Sequence, residues 1–339
     1  MVDSADRRAL LAAFLAAQGW DGVGPTLLAG DASFRRYYRL TDRGRSVVLM
    51  DAPPPHEAVG PFVHVAAALR RFGLSAPEIH AEDRENGFLL IEDFGDDTYT
   101  RLLAAGNDET SLYALAIDTL IALHRRAAVQ GVPELPPYDE ARLVGEAALM
   151  TDWYMPAVFG RPPAAAVRRE YLDLWRRLLP LAELPSSTLV LRDYHVDNLM
   201  LLRDREGVKA CGLLDFQDAV IGPASYDMVS LIEDARRDVS VALQAAMTKR
   251  YLAAFPGLDA GAFRRSAAVL AAQRNCKIIG IFTRLAHRDG KPHYLGHIPR
   301  VWRLVEQDAR EPVLAPLAAW LDRHLPPALR RVPKAEAAA

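Results

Sequence analysis

The chain has 339 residues, half of them hydrophobic and a quarter charged, with a formal net charge of -2. This length predicts one two-lobed domain or two domains, and the small net charge argues against a protein that binds nucleic acid over its whole surface. The two cysteines form neither a disulfide framework nor a metal-site spacing, and no apolar run is long enough to span a membrane, so we expect a cytoplasmic protein without a membrane partner.

Residues 1–94 have the pattern of a small α+β lobe. The elements follow from apolar periodicity and from Gly, Pro and Asp turns. We predict a helix over 1–20, strands within 27–40 and over 46–50, a helix over 56–72, and strands at 79–81 and 88–91. Only Gly30 marks a nucleotide loop, because there is no G-x-G-x-x-G motif.

Asp93-Phe94-Gly95 spells a kinase metal motif but lies about a hundred residues before the best candidate for the catalytic loop. A metal-binding Asp must follow that loop. We therefore interpret Leu89–Gly95 as a hinge strand, in which the backbone around Glu92 and Phe94 hydrogen-bonds the adenine edge of ATP.

Residues 95–333 have mainly helical periodicity and form the predicted second lobe. Helices are expected around 112–123 and over 164–179, and further helical regions over 226–255 and 262–285. Residues 334–339 are predicted to be a frayed tail.

The most specific pattern lies between these helices. The apolar run Thr188–Leu191 leads to Asp193, and Asn198 follows five residues later. A turn and a short apolar strand then end at Asp215, so a hairpin should bring Asn198 and Asp215 together. In a kinase the first Asp accepts a hydrogen bond from the attacking hydroxyl, and the Asn and second Asp bind Mg²⁺ on the ATP phosphates. D-x-x-x-x-N alone is common by chance, but this order of strands, turn and carboxylates is much rarer.

The chain resembles the aminoglycoside phosphotransferase-like kinases. Their pattern H-G-D-x-x-x-x-N, a strand-borne Asp and G-x-P-x-x-D has a looser counterpart in Leu191–Asn198, Asp215 and Gly222–Asp227. Within that family, three further segments are similar to the bacterial anomeric kinases of N-acetylmuramate and N-acetylglucosamine. These segments are Gly30–Tyr38, Val48–Pro53 and Asp215–Ala219.

The resemblance implies an α+β, two-lobed protein-kinase-like fold with a sheet-rich N-lobe and a larger helical C-lobe. It also implies that Asp193 is the catalytic base, that Asn198 and Asp215 are Mg²⁺ ligands, and that Asp227 braces the catalytic loop. From the residues alone, Asp227 could equally cap the following helix.

Two departures from the family pattern concern the phosphate site. Leu191 replaces the His of H-G-D, and the strand position near Met50 has no lysine, since the chain contains no Lys before Lys209. Either the protein is a pseudokinase or another cation replaces that lysine. We favour replacement by the basic loop, whose predicted phosphate contacts are Ser33, Arg35 and Arg36. Without that lysine, Glu57 has no assured role.

A basic region indicates the kind of acceptor. Residues 264–303 contain nine Lys and Arg residues and one acid, Asp289. Such a region suits an anionic acceptor such as N-acetylmuramate, which carries a lactyl carboxylate, better than a polycationic antibiotic. The alternative is a solvated helix face that balances acids elsewhere.

The predicted acceptor contacts in this region are Asn275, Lys277 and Arg284. His195 and Gln217 could contact the sugar or could support the loop on which they lie.

These patterns lead to three functional hypotheses. The first is an ATP- and Mg²⁺-dependent kinase of the anomeric C1 hydroxyl of N-acetylmuramate or N-acetylglucosamine, which feeds peptidoglycan recycling. The second is another small-molecule kinase, with an aminoglycoside, choline-like or homoserine-like acceptor, and the third is a nucleotide-binding pseudokinase. The short segment Asp215–Asp227 has no A-P-E motif, which argues against a protein kinase. We expect the partner to be a small amino sugar and not a nucleic acid. We also expect the protein to be a monomer or a weak dimer.

Overall fold

A computed structural model describes residues 4–30, 34–184 and 186–334. The backbone divides into two compact units. The first unit contains the described residues up to Asp108 together with Asp197–Asp218, and the second contains Glu109–Val196 and the residues from Ala219 onward. The lobe boundary predicted after residue 94 stays a prediction. The predicted tail lies outside the described residues except for Lys334.

The elements up to residue 108 are, in chain order, α1 Ser4–Ala17, β1 Thr26–Gly30, β2 Arg36–Asp42, β3 Arg45–Asp51, α2 Gly60–Arg71, β4 Ile79–Asp83, β5 Phe88–Glu92 and α3 Tyr99–Ala104. Each strand and long helix predicted here from apolar periodicity has a counterpart. Helix α2 begins at Gly60, later than predicted, with Pro61 in its first turn, where proline's missing N–H costs no hydrogen bond.

The remaining elements are α4 Glu109–Gln130, α5 Glu140–Ala147, α6 Met155–Phe159, α7 Ala165–Leu178, β6 Ser187–Val190, β7 Leu199–Leu201, β8 Cys211–Leu213, β9 Val220–Pro223, α8 Ser225–Ile232, α9 Val241–Ala254, α10 Ala260–His287, α11 Ile298–Asp308 and α12 Ala315–His324. The helical region predicted over 226–255 consists of two helices. Helices α8 and α9 are separate, and Ser240 caps α9 by accepting the backbone N–H of Leu243.

An antiparallel sheet organises the first unit, with the strand order β1-β2-β3-β5-β4. Helix α1 packs Phe14 and Leu15 against the sheet residues Leu49 and Phe88. The central strand β3 is buried at four consecutive positions from Val47 to Met50, which is why its sequence is a continuous apolar run instead of an alternating one.

The Asp193 loop lies in the chain between strands of two short strand pairs. Strand β6 pairs with β9 in the second unit, and β7 pairs with β8 in the first. The chain leaves β6 for the Asp193 loop and enters β7 directly after Asn198. The pattern of strand, loop, strand, turn and strand predicted from the sequence is therefore present.

Helix α10 forms the centre of the second unit. It has 28 residues, and 17 of them are buried, including polar ones. It passes close to the π-helical turn Met150–Tyr154, because a Cβ added at Gly280 would lie 2.3 Å from the carbonyl carbon of Leu149. Only glycine fits there without moving the backbone.

Both cysteines are buried and neither forms a disulfide; Cys211 lies in the first unit and Cys276 in the second. None of the helices in the described part of the chain is both long enough and apolar enough to cross a membrane.

Candidate active site

The β7–β8 hairpin brings Asn198 and Asp215 together in the first unit. Leu199 pairs with Leu213, and the backbone N–H of Leu214 donates to the Asn198 carbonyl at 3.0 Å. The Asn198 side chain then lies 3.4 Å from the Asp215 carboxylate, measured from Nδ2 to Oδ2. The two predicted metal ligands therefore meet at one end of the hairpin, as the sequence indicated.

The chemistry at Asp215 suits a hard divalent cation. Its side chain is 29% exposed, and its backbone has a φ of 55°, a left-handed conformation that is uncommon for a residue with a Cβ. Gln217 Nε2 donates to Oδ1 at 2.7 Å, which fixes the orientation of the carboxylate. Mg²⁺ prefers carboxylate and amide oxygens, and rotation of the Asn198 amide would present one beside Asp215. The residues present therefore fit the metal that kinases use.

Arg35, a member of the predicted phosphate loop, lies beside the proposed metal ligand Asp215. Its side chain is buried, with a guanidinium nitrogen 3.7 Å from Asp215 and another 3.8 Å from Glu57. Glu57 also accepts the backbone N–H of Phe34 at 3.3 Å. An arginine–glutamate pair is thus present in place of the usual lysine–glutamate pair. The sequence did not reveal the role of Glu57, although an acid just before α2 was a usable signal.

The other members of the predicted phosphate loop are less informative. Arg36 is exposed at the start of β2, and Ser33 lies outside the described residues. The next arginine along β2, Arg39, instead pairs with Asp93 at 2.7 Å and Asp96 at 3.1 Å, and so fastens β2 to the segment after β5.

The predicted hinge residues contact the rest of the first unit. The backbone N–H of Glu92 donates to Glu78, and its carboxylate pairs with Arg205. The Phe94 ring packs on the hairpin, since a Cβ added at Gly212 would lie 2.9 Å from that ring. Phe94 therefore packs against β8, the strand that leads to Asp215, while the role of both residues toward adenine stays a prediction.

The Asp193 loop belongs to the second unit and is held through its backbone. The N–H groups of Leu191 and Arg192 donate to the two carboxylate oxygens of Asp227, at 2.6 and 2.9 Å. Arg192 has a φ of 70°, which explains why the family pattern has glycine at that position. Helix α8 begins at Ser225 without a side-chain cap, so the geometry favours the brace over the capping role of Asp227.

Burial sets the protonation of that brace. Asp227 is 1% exposed, and its burial raises its pKa to about 7, while the two backbone N–H groups act in the opposite direction.

A buried charged network lies against the same loop. Arg192 pairs with Glu146 of α5, which also contacts Lys277 at 3.1 Å and accepts the Tyr138 hydroxyl at 2.6 Å. Burial works against ionisation of Glu146, but the charges of Lys277 and Arg192 outweigh it and hold the pKa of Glu146 below its usual value. Lys277, predicted as an acceptor contact, is 8% exposed, so this placement favours a supporting role. Sequence reasoning missed Glu146, whose partners are remote along the chain.

The remaining predicted acceptor contacts differ from one another in burial and in their partners. Asn275 is fully buried and donates to Glu233 at 2.8 Å and Asp308 at 3.0 Å, which favours a structural role. Arg284 is half-buried, and burial lowers its pKa. His195 is buried, and its burial and then the charges of Arg236 and Arg274 hold its pKa well below the usual value, so the ring is neutral.

Much of the basic region is balanced by acids. Arg300 and Arg303 both pair with Asp238, Arg288 pairs with Asp289, and Lys277 pairs with Glu146. For these residues the structure supports the alternative of local charge balance. Arg274 instead donates to the backbone carbonyl of Glu233 at 3.2 Å and affects the pKa of His195.

Comparison with solved structures identifies the fold. The chain superimposes on a choline/ethanolamine kinase family protein from Mesorhizobium loti with a TM-score of 0.61 and 16% identity, covering 95% of this chain and 100% of that one. A GDP complex of aminoglycoside 2'-phosphotransferase-IIIa gives a TM-score of 0.58 at 14% identity, covering 89% and 98% of the two chains. The predicted fold class is confirmed.

Comparison of sequences identifies the family. The model of the Phosphotransferase enzyme family matches residues 25–264. A protein from Caulobacter vibrioides named N-acetylmuramate/N-acetylglucosamine kinase is 37% identical over 98% of this chain and 100% of its own length. A protein of the same name from Pseudomonas aeruginosa is 42% identical over 90% of each chain. The chain therefore belongs to the phosphotransferase enzyme family of aminoglycoside phosphotransferase-like kinases, and its sequence groups it with relatives named N-acetylmuramate/N-acetylglucosamine kinases.

Proposed function

We propose that the protein transfers the γ-phosphoryl group of ATP to the anomeric C1 hydroxyl of N-acetylmuramate, N-acetylglucosamine or both, and thereby feeds peptidoglycan recycling. The observation that carries the proposal is that relatives of this name match at 36–42% identity over at least 86% of the chain. The pairing of Asn198 with Asp215 supports a phosphoryl-transfer chemistry.

In the proposed reaction, Asp193 orients the C1 hydroxyl toward the γ-phosphorus and accepts its proton as the new O–P bond forms, while the bond from the γ-phosphorus to the β–γ bridging oxygen breaks and ADP leaves. An anomeric hydroxyl is more acidic than an ordinary alcohol, so a single carboxylate suffices. Mg²⁺ held by Asn198 and Asp215 would offset the negative charge of the ATP phosphates. Catalysis of this kind depends on positioning and on electrostatic stabilisation.

Arg35 is the proposed substitute for the strand lysine. Its guanidinium is fixed between Glu57 and Asp215 and so stands beside one proposed metal ligand. A planar, permanently charged fork suits phosphate oxygens. This arrangement favours an active kinase over the pseudokinase hypothesis. Adenine recognition by the backbone around Glu92 and Phe94 completes the proposal.

The test is ATP consumption by the purified protein with Mg²⁺ and a panel of N-acetylmuramate, N-acetylglucosamine, glucose, kanamycin and choline. Phosphorus NMR of the product identifies the phosphorylated position. We expect a 1-phosphate of an N-acetylated amino sugar. Transfer to kanamycin or choline alone would replace the proposal with another kinase of this fold, and ATP binding without transfer to any acceptor would favour the pseudokinase.

A further inference from the structure

Two arginines, Arg236 and Arg274, act on His195, the residue that follows the proposed base by two positions. The backbone N–H of His195 donates to the Asp193 carbonyl at 3.2 Å. Nε2 of the His195 ring lies 3.5 Å from a guanidinium nitrogen of Arg236, and Arg274 is the other charge that lowers the pKa of this ring. Because the ring is neutral, the positive charge beside it comes from the arginines.

Arg236 is held in place through its backbone. Its N–H donates to Asp234 Oδ1 at 2.8 Å, and its carbonyl accepts Nη1 of Arg300 at 2.8 Å. These bonds do not depend on the Arg236 side chain. A substitution of the side chain should therefore leave the segment between α8 and α9 in its conformation.

The Arg236 side chain is preorganised as well. Its guanidinium carbon lies 5.9 Å from the centre of the Phe282 ring, which is itself packed by Tyr294 and His297. A guanidinium over an aromatic face keeps its charge and its planar fork of N–H donors, which matches the geometry of a carboxylate. Arg236 is half-buried, so its charge is only partly screened by solvent.

We propose that Arg236 binds the carboxylate of the acceptor and thereby determines the preference for an acidic amino sugar over a neutral one. The inference rests on the proposed function, because N-acetylmuramate and N-acetylglucosamine differ by the lactyl group that carries this carboxylate. His195 contacts both Arg236 and the Asp193 backbone, and so connects the proposed carboxylate-binding arginine with the Asp193 loop.

The test compares equilibrium binding of N-acetylmuramate, its neutral methyl ester and N-acetylglucosamine to the wild type and to Arg236→Met. We expect the wild type to bind the acid on the order of 10- to 100-fold more tightly than the ester, the range of a charge-assisted hydrogen bond. Arg236→Met should bind the acid and the ester equally, with its affinity for N-acetylglucosamine unchanged. Arg236→Lys, which keeps the charge but not the fork, should lie between them.

Arg303→Met is the matched control, because it removes an exposed arginine of the basic region 264–303 that pairs with Asp238. It should keep the wild-type preference for the acid. Equal binding of acid and ester by the wild type, a preference that survives in Arg236→Met, or an equal loss for all three sugars would overturn the inference. If the preference depends on Arg236 but no sugar is phosphorylated, the carboxylate site stands and the proposed function fails.

Discussion

Two aspartates, one in each compact unit, show how environment divides the same side chain between two roles. Asp215 in the first unit is 29% exposed, and its oxygens are approached by the side chains of Asn198, Arg35 and Gln217. Asp227 in the second unit is 1% exposed, and its oxygens accept two backbone N–H groups.

The two carboxylates differ in their hydrogen-bonding partners as well as in their burial. Side-chain partners and access to solvent leave lone pairs of Asp215 available to a cation, whereas backbone partners commit both oxygens of Asp227 to holding the Asp193 loop. The sequence pattern predicted Asp215 as a metal ligand but, from the residues alone, left Asp227 open between a brace and a helix cap. The substitutions below test whether one carboxylate serves chemistry and the other serves the fold.

The largest effect is expected for Asp193→Asn, which removes the proposed base from the loop that Asp227 holds. We expect kcat to fall by about a thousandfold, within the usual range for loss of a general base. ATP affinity should be unchanged, which a fluorescent-nucleotide titration would measure. Asp204→Asn, in an exposed turn, is the control. Full turnover by Asp193→Asn would exclude this residue as the base.

Asp215→Asn should lower kcat/KM for Mg·ATP by about a hundredfold or more, since a metal ion contributes several kcal/mol of charge stabilisation. Its unfolding free energy should change by less than about 1 kcal/mol, because asparagine tolerates the left-handed backbone found there and the site is partly exposed. Activity at increasing Mg²⁺ and urea unfolding test the two parts. A large loss of stability would show that Asp215, like Asp227, stabilises the folded protein, and would contradict the proposed difference between the two residues.

Asp227→Asn should lower the unfolding free energy by about 1–3 kcal/mol, because an amide cannot accept both backbone N–H groups. The loss should depend on pH. The folded pKa of about 7 lies above the ordinary value of 3.8, so folding favours the protonated carboxyl, and this stability is lost as the pH rises from about 4 through 7. The substitution should therefore cost more at pH 5 than at pH 8.

Urea unfolding of both proteins at these two pH values measures that difference. Burial also raises the pKa values of Glu233 and Asp308, but those carboxyls titrate in wild type and variant alike. An equal loss at both pH values would show that Asp227 is ionised throughout.

The order of motifs in the sequence was sufficient to predict the fold class and the meeting of Asn198 with Asp215. The fold class followed from the resemblance that these motifs carry, whereas the meeting of the two residues follows from local rules, because strand periodicity and a turn dictate which residues end a hairpin. The absence of a strand lysine was also readable, since no lysine precedes Lys209, whereas its replacement by Arg35 stays a prediction.

The positions of buried polar residues could not be predicted in this way. Asn275 and Lys277 were predicted to contact the acceptor, yet each has acidic partners from other elements, far away along the chain. Helical periodicity does not distinguish a solvated face from a face that meets buried acids. Arg236 was missed because it lies between α8 and α9, outside the basic region 264–303 on which the prediction of acceptor contacts rested.

The two buried cysteines give each compact unit a reporter of its own. Cys211 and Cys276 are the only thiols in the chain, and burial raises the pKa of Cys276 to about 12, so maleimides should not modify the native protein. A thiol becomes reactive only when the unit around it opens. The order in which the two are labelled in mild denaturant would therefore reveal, by mass spectrometry of an unmodified wild-type chain, which unit unfolds first.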